Sequence, residues 1–378
     1  MEMNDMILVS VDDHLCEPPH MFDDHLADRW KDEAPKLLHT DDGSDVWTFN
    51  GEIIPNVGLN AVAGRPKEEY GIEPTSFEEI RPGCYDIDER IKDMDAGGVL
   101  GSMCFPSFPN FAGRLFSNHP DKEFAAALIR AYNDWHIYEW CGSYPGRFIP
   151  MALPMIWSAE ECAAEVRRVA ELGCHSMTFT ENPAATAFGE PSFHDEYWNP
   201  LWEVACELDQ PISFHIGSGN MTGGLPKEKV AKYGKMAAFA ELSVEVFLRN
   251  GVQLSDLLVS GVLARYPSIK FVSVESGIGW IPFALEALDY QFLGNRVPEE
   301  RPDLDMLPSE YFARNVYACY WFEQVAPRRL IDKVGVDKIM FETDFPHPTS
   351  LFGQEVHDRI REGLDDCEAD VRRKILWD

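Results

Sequence analysis

Short apolar runs alternate with longer amphipathic stretches along most of this chain. The runs Ile7 to Val11, Val99 to Phe105, Phe148 to Leu153, Ser176 to Phe179, Ile212 to His215, Phe271 to Val274, Val316 to Cys319 and Lys338 to Phe341 predict strands. Helical patterns between them give the βαβα order of a parallel sheet. Eight strands is the number that a closed (β/α) barrel needs.

Start and stop signals sharpen some of the helices. Ser158 followed by Glu161 predicts a capping box ahead of Cys162 to Leu172, with Gly173 as the stop. Ser255 is expected to open a helix over Asp256 to Arg265 that Pro267 closes, and Asp121 to Trp140 reads as one longer helix. Residues 12–98 are too many for an ordinary connection. Asp45 to Ile54 alternates like a hairpin, so residues 20–84 are expected to form an insertion over one barrel face. Tyr85 to Asp95 then supplies the helix before the second strand, with Gly97 and Gly98 as its stop. With no repeat and no linker, residues 1–378 are read as a single domain.

The strand ends carry the candidate chemistry. Period-two geometry places Asp12 and His14 on the same face of the first strand, where barrel enzymes keep their sites, and Glu17 follows just before two prolines. His215, Glu275 and Asp344 occupy the ends of three other strands. Two imidazoles and several carboxylates meeting at one mouth would repel or stay unsatisfied without a cation. His347, three residues beyond Asp344, is a candidate proton shuttle or brace, while His175, at the start of the fourth strand, is expected to face outward or to pack. Glu181 and Asn182 are placed to touch substrate, and Phe105, Trp280, Trp321 and Phe345 could wall an apolar pocket.

Charge and cysteine usage narrow the partners. With 33 basic and 64 acidic residues the formal charge is −31, which disfavours nucleic acid and anionic lipid. Nine scattered cysteines, none spaced C-x-x-C, indicate neither a disulfide framework nor a zinc ribbon. Met1 to Asp5 has no signal-peptide character, and no run approaches the roughly 20 apolar residues of a membrane span. A cytoplasmic location is expected. Gly277-Ile278-Gly279 lacks the rest of a phosphate-binding fingerprint, and no G-x-S-x-G elbow occurs.

Val11-Asp12-Asp13-His14 through Pro18-Pro19, His215 with Gly217-Ser218-Gly219, Glu275 through Phe283, and Thr343-Asp344-Phe345-Pro346-His347 together resemble the amidohydrolase-related branch of the amidohydrolase superfamily, which includes non-oxidative decarboxylases. The resemblance implies an α/β fold, a distorted (β/α)8 TIM barrel with the insertion after strand one. It implies a metal held by Asp12, His14, His215 and Asp344. The family's usual H-x-H is Asp12-x-His14 here, which favours harder metals such as Mn or Fe without excluding Zn. Its strand-six His is replaced by Glu275, so the usual imidazole acid/base is missing.

The expected cofactor is one divalent transition metal per chain (Zn, Mn or Fe), or two, since Asp12, His14, Glu17, His215, Glu275 and Asp344 offer enough donors; Glu17 is read as a ligand or as a partner orienting His14. Glu275, His347 and Asp344 are the candidate catalytic groups. The preferred function is hydrolysis of a small amide-bearing molecule through metal-activated water, or non-oxidative decarboxylation of a metal-chelated carboxylate. The alternative is an oxygen-dependent dinuclear Fe/Mn hydroxylase, or a subunit of one. The aromatic-rich stretches Asp121 to Trp140 and Gly279 to Phe292 could build an interface, in a homo-oligomer or with a related subunit.

Overall fold

The computed structural model describes residues 5–378 apart from 56, 59, 67–73, 186–188, 193–194 and 220–224. Of the segment Met1 to Asp5, residues 1–4 lie outside the described residues. The strands in chain order are β1 (Leu8–His14), β2 (Lys36–His39), β3 (Asp45–Phe49), β4 (Glu52–Ile54), β5 (Val99–Phe105), β6 (Met177–Thr180), β7 (Ile212–His215), β8 (Phe271–Val274), β9 (Val316–Tyr320) and β10 (Ile339–Phe341). The fold is mixed α/β: β1 pairs in parallel with β5, and β10-β9-β8-β7-β6 form a five-stranded parallel sheet.

The predicted strand over Phe148 to Leu153 does not form. Pro150 and Pro154 have no N–H to give a ladder, so the segment makes only isolated parallel bridges, Ser102 to Phe148 and Ala152 to Met177. Those bridges nevertheless join β5 to β6. On the opposite edge the Asp344 amide donates to Asp12 O at 2.9 Å and the His14 amide to Phe345 O at 2.5 Å, which ties β1 to the chain leaving β10. Met103, Phe105, Met151, Val272, Val274 and Cys319 pack together from both sheets and the bridging segment.

Local signals explain most of the helices. Ser158 Oγ accepts from the Glu161 amide at 3.2 Å and caps the Ala159–Glu171 helix. Gly98, at φ 69°, ends the Ile87–Gly97 helix that Asp86 caps. Asp121 caps Lys122–Trp135, but the stretch His136–Cys141 continues it as a π turn rather than an α-helix.

The expected helix opening at Ser255 is a correction. Ser255 sits inside one long helix, Lys235–Val259, and its hydroxyl bonds back to Gly251 O at 2.8 Å. A Ser inside a helix can bond back to the carbonyl four residues earlier, so its presence does not specify a start. The real break comes at Ser260 and Gly261 (φ 89°), before Val262–Arg265. The hairpin expected over Asp45 to Ile54 exists as β3 and β4, and β2 extends it to an antiparallel sheet of three strands.

Candidate metal centre

Alternation along β1 sends Asp12 and His14 to one buried point and Asp13 to the other side. Asp13 is a structural post. It accepts from Ser10 Oγ at 3.0 Å, from the Phe345 amide at 3.2 Å and from the hydroxyls of Ser102 and Thr343, and it faces Arg90 at 3.5 Å. Arg90 in turn donates to His14 O at 3.0 Å. The end of β1 is therefore held rigidly from behind.

In front, His14 Nε2 lies 3.2 Å from His215 Nε2, 3.6 Å from Asp12 Oδ1 and 3.4 Å from Asp344 Oδ1. His215 Nε2 is 3.5 Å from Asp12 Oδ1 and 3.3 Å from Glu275 Oε2. Two overlapping quartets offer ligand atoms within 4.8 Å of one another: Asp12, His14, His215 and Glu275; and His14, Glu275, Asp344 and His347. Glu275 and Asp344 both have φ 55°, a left-handed backbone that costs a non-glycine residue energy and is typical of functional sites.

The electrostatics fit a cation. Burial pushes the Asp12 carboxyl well above the ordinary carboxylate range, and Asp344 and Asp13 add to it. Both Asp12 oxygens are buried without a hydrogen-bond partner. Burial lowers His215 to about 4 and His14 well below its ordinary value, so both imidazoles are neutral and able to ligate at pH 7. Ile216 O, 2.6 Å from His215 Nδ1, accepts that proton and leaves Nε2 as a lone pair. Donors about 2.0–2.2 Å from a metal ion stand roughly 3–3.5 Å from each other, which is the spacing seen here. Asp344 differs: burial raises it, but His347 and bonds from His14 and His347 outweigh burial and hold it below the ordinary range.

The other expected residues divide. His347 Nδ1 is 2.8 Å from Asp344 Oδ1, its ring stacks 3.9 Å from that of His14, and its Nε2 has no partner. Phe105 packs on His215 at 4.7 Å. Glu17 lies in neither quartet; its carboxylate accepts from the Ser107 and Phe108 amides at 3.0 and 2.8 Å. Glu181 is tied to the Ser218 hydroxyl, and the amide of the adjacent Asn182 donates to Thr180 Oγ1 at 3.3 Å. Trp321 is buried behind the site, donating to Thr349 O at 3.1 Å. Trp280 faces away: it donates to Ser276 O at 2.9 Å and lines a groove with Leu248 and Phe283 on the outer side. Phe345 packs on Phe352 and under Arg90. His175 is exposed.

Several residues escaped the sequence. Phe111 stacks 4.0 Å from His215 and 5.1 Å from His14. Thr349 holds the second oxygen of Asp344 through its hydroxyl. Glu342, fully buried, accepts from the Glu275 amide at 3.3 Å; burial raises its carboxyl well above the ordinary range, and Asp12 and Asp344 reinforce this. A cavity of about 200 Å³ opens beside the quartets, walled by Phe111, Glu275, His347 and the inner face of the Lys235–Val259 helix. Only Glu342 had a visible signal, as one more carboxylate in the run Glu342-Thr343-Asp344.

Relatives place this geometry in context. A 2-amino-3-carboxymuconate-6-semialdehyde decarboxylase from Dictyostelium discoideum is 22% identical over 316 residues, covering 82% of this chain and 79% of that protein. A gamma-resorcylate decarboxylase from Polaromonas sp. is 26% identical over 317 residues, covering 80% and 88%. A solved variant of 5-carboxyvanillate decarboxylase from Novosphingobium aromaticivorans, with bound manganese and 3-methoxy-4-hydroxy-5-nitrobenzoic acid, superposes at TM-score 0.67 with 19% identity over 98% of this chain and 95% of that one. The amidohydrolase family model matches residues 52–378, and the chain belongs to that family.

Proposed function

We propose that the parallel strands close into a distorted (β/α)8 barrel and that the chain is a metal-dependent, non-oxidative decarboxylase of a small aromatic or enoic carboxylate. The carrying observation is the pair of partnerless Asp12 oxygens beside two facing imidazole nitrogens 3.2 Å apart. Asp12, His14 and His215 would hold a divalent ion, with Glu275 or Asp344 completing the set. The named relatives support decarboxylation; the hydrolase and dinuclear hydroxylase readings draw no comparable support from them. Manganese in the solved relative makes it the first metal to try.

A divalent ion held by these residues would supply Lewis-acid polarisation of the bound carboxylate. The protein's own residues then handle the proton. As the C–C bond breaks and CO2 leaves, the electron pair stays on the ring or vinylic carbon. His347, its Nδ1–H accepted by Asp344, delivers the Nε2 proton to that carbon and is recharged from solvent. The aromatic wall of Phe111 and Phe105 keeps water from the imidazoles.

Metal content and CO2 release test this together. The full chain, stripped and reloaded with Mn(II), Zn(II) or Fe(II), is expected to bind about one ion per chain and to release CO2 from at least one member of a panel of hydroxybenzoates and 2-enoates. Failure to bind any of the three ions stoichiometrically would reject the reading.

A second copy of the chain is the expected partner. Phe283, Tyr290 and Leu293 on the Ile281–Gly294 helix and Val244, Leu248 and Val252 on Lys235–Val259 are 54–76% exposed. Two adjoining helices thus expose several large apolar side chains side by side, the kind of patch that marks an interaction site. A formal charge of −31 opposes contact elsewhere, and a two-fold axis lets one such patch serve both copies.

A further inference from the structure

We propose that the body of this substrate is apolar and uncharged, so that the site takes a monoanionic acid bearing alkyl or plain aryl groups and rejects dicarboxylates and phosphate esters. This rests on the decarboxylase reading and adds the chemistry of the part that does not react.

The cavity is the ground for it. Phe111, Ile216, Phe239, Leu242, Val246 and Phe247 form its walls away from the metal centre. Among the described lining residues none is Lys or Arg. The titratable groups that do face it, Glu275 and His347, belong to the metal centre, with Asp12, Asp344 and Glu342 behind them. A single carboxylate can therefore be met by the ion. A second anion would be stripped of water among phenyl and alkyl groups, with carboxylates as its nearest charges, and such burial of an unpaired ion is strongly unfavourable.

The polar remainder is neutral and mostly engaged. Ser243 Oγ donates to Phe239 O at 3.0 Å, and the Thr349 hydroxyl donates to Asp344. Among the described lining residues Asn60 alone offers a side-chain amide to a hydroxyl or carbonyl. Size agrees: a cavity of roughly 150 Å³ holds benzene, and about 200 Å³ leaves room for a ring with a short substituent.

The test is calorimetric titration of the Mn(II)-loaded full chain with three para-substituted benzoates of similar size: 4-ethylbenzoate, 4-hydroxybenzoate and terephthalate. The ethyl compound is expected to bind about tenfold or more tighter than terephthalate. Leu242→Lys, a half-buried wall position, is expected to shrink that ratio by about tenfold, with circular dichroism confirming the fold. Terephthalate binding as tightly as the ethyl compound, or a folded L242K variant with the ratio unchanged, overturns the proposal. CO2 release is followed in parallel. The ratio holding while no member of the hydroxybenzoate and 2-enoate panel releases CO2 supports the apolar body and rejects decarboxylation; CO2 release from dicarboxylates with the order reversed does the opposite.

Discussion

Asp12, Asp13 and Glu17 are all buried near the end of β1, and their surroundings give them different work. Asp13 is saturated by hydroxyls, an amide and Arg90, so it holds structure. Asp12 has no donor at all and is left for a cation. Glu17 is intermediate: burial raises it to about 7, against backbone amide bonds, among them those of Phe108 and Ser107, that pull it down. A carboxyl with its folded value raised stabilises the fold most below its ordinary value of 4.5 and loses that contribution as pH rises through about 7. The stability advantage of the native protein over Glu17→Gln should thus be larger at pH 5 than at pH 8 in urea unfolding; a difference that stays flat across that window speaks against the protonated form. His347 belongs at this scale too. H347Q should keep its Mn(II) by elemental analysis yet lose about 10²–10⁴-fold in CO2 release, since the ligands Asp12, His14 and His215 remain while the proton donor goes.

At the scale of elements, the junction between β1 and the turn after β10 is what aims the ligands. Arg90 reaches from the Ile87–Gly97 helix to Asp13 and to the His14 carbonyl, and both ends of this pair are almost fully buried. Removing one partner leaves an uncompensated charge inside, a loss of about 3–5 kcal/mol. Arg90→Met should show it as a fall in the urea midpoint together with weaker Mn(II) binding; a drop in stability with metal affinity untouched would mean that the post does not aim the site. Helix caps behave more modestly. Ser158→Ala should cost about 0.5–2 kcal/mol and leave the metal site alone, because its only role is the Glu161 amide.

For the whole molecule, the outer apolar face and the inner cavity share the Lys235–Val259 helix: Val246 and Phe247 face the cavity while Leu248 and Val252 face outward. Phe283→Asp, on the neighbouring helix and 76% exposed, is expected to leave each chain folded but shift sedimentation from dimer to monomer; sedimentation unchanged by that substitution would discard the second copy as the occupant. Among the described residues no helix is long and apolar enough to cross a membrane.

Much of this architecture could be read from the chain itself. Strands β5, β7 and β8 begin and end where their apolar runs do, and Asp12, His14, His215, Glu275 and Asp344 stand at strand ends because period and turn residues are local properties. What local pattern cannot carry is which of several like residues converge. Asp12 and Asp13 are neighbours of identical type, and the Ser102 hydroxyl, the Thr343 hydroxyl and Phe345 amide from the segment after β10, and Arg90 mark Asp13 as the post. Trp280 is expected to wall the pocket, yet packing turns it outward and lays Phe111, which carries no strand-end signal, on His215. The prolines that broke the strand at Phe148 to Leu153, and the length of the Lys235–Val259 helix, likewise depended on which neighbours were there to accept the backbone's hydrogen bonds. Alternation along a chain determines which face a side chain occupies; the distances between faces, and so the chemistry, exist only once the strands are assembled.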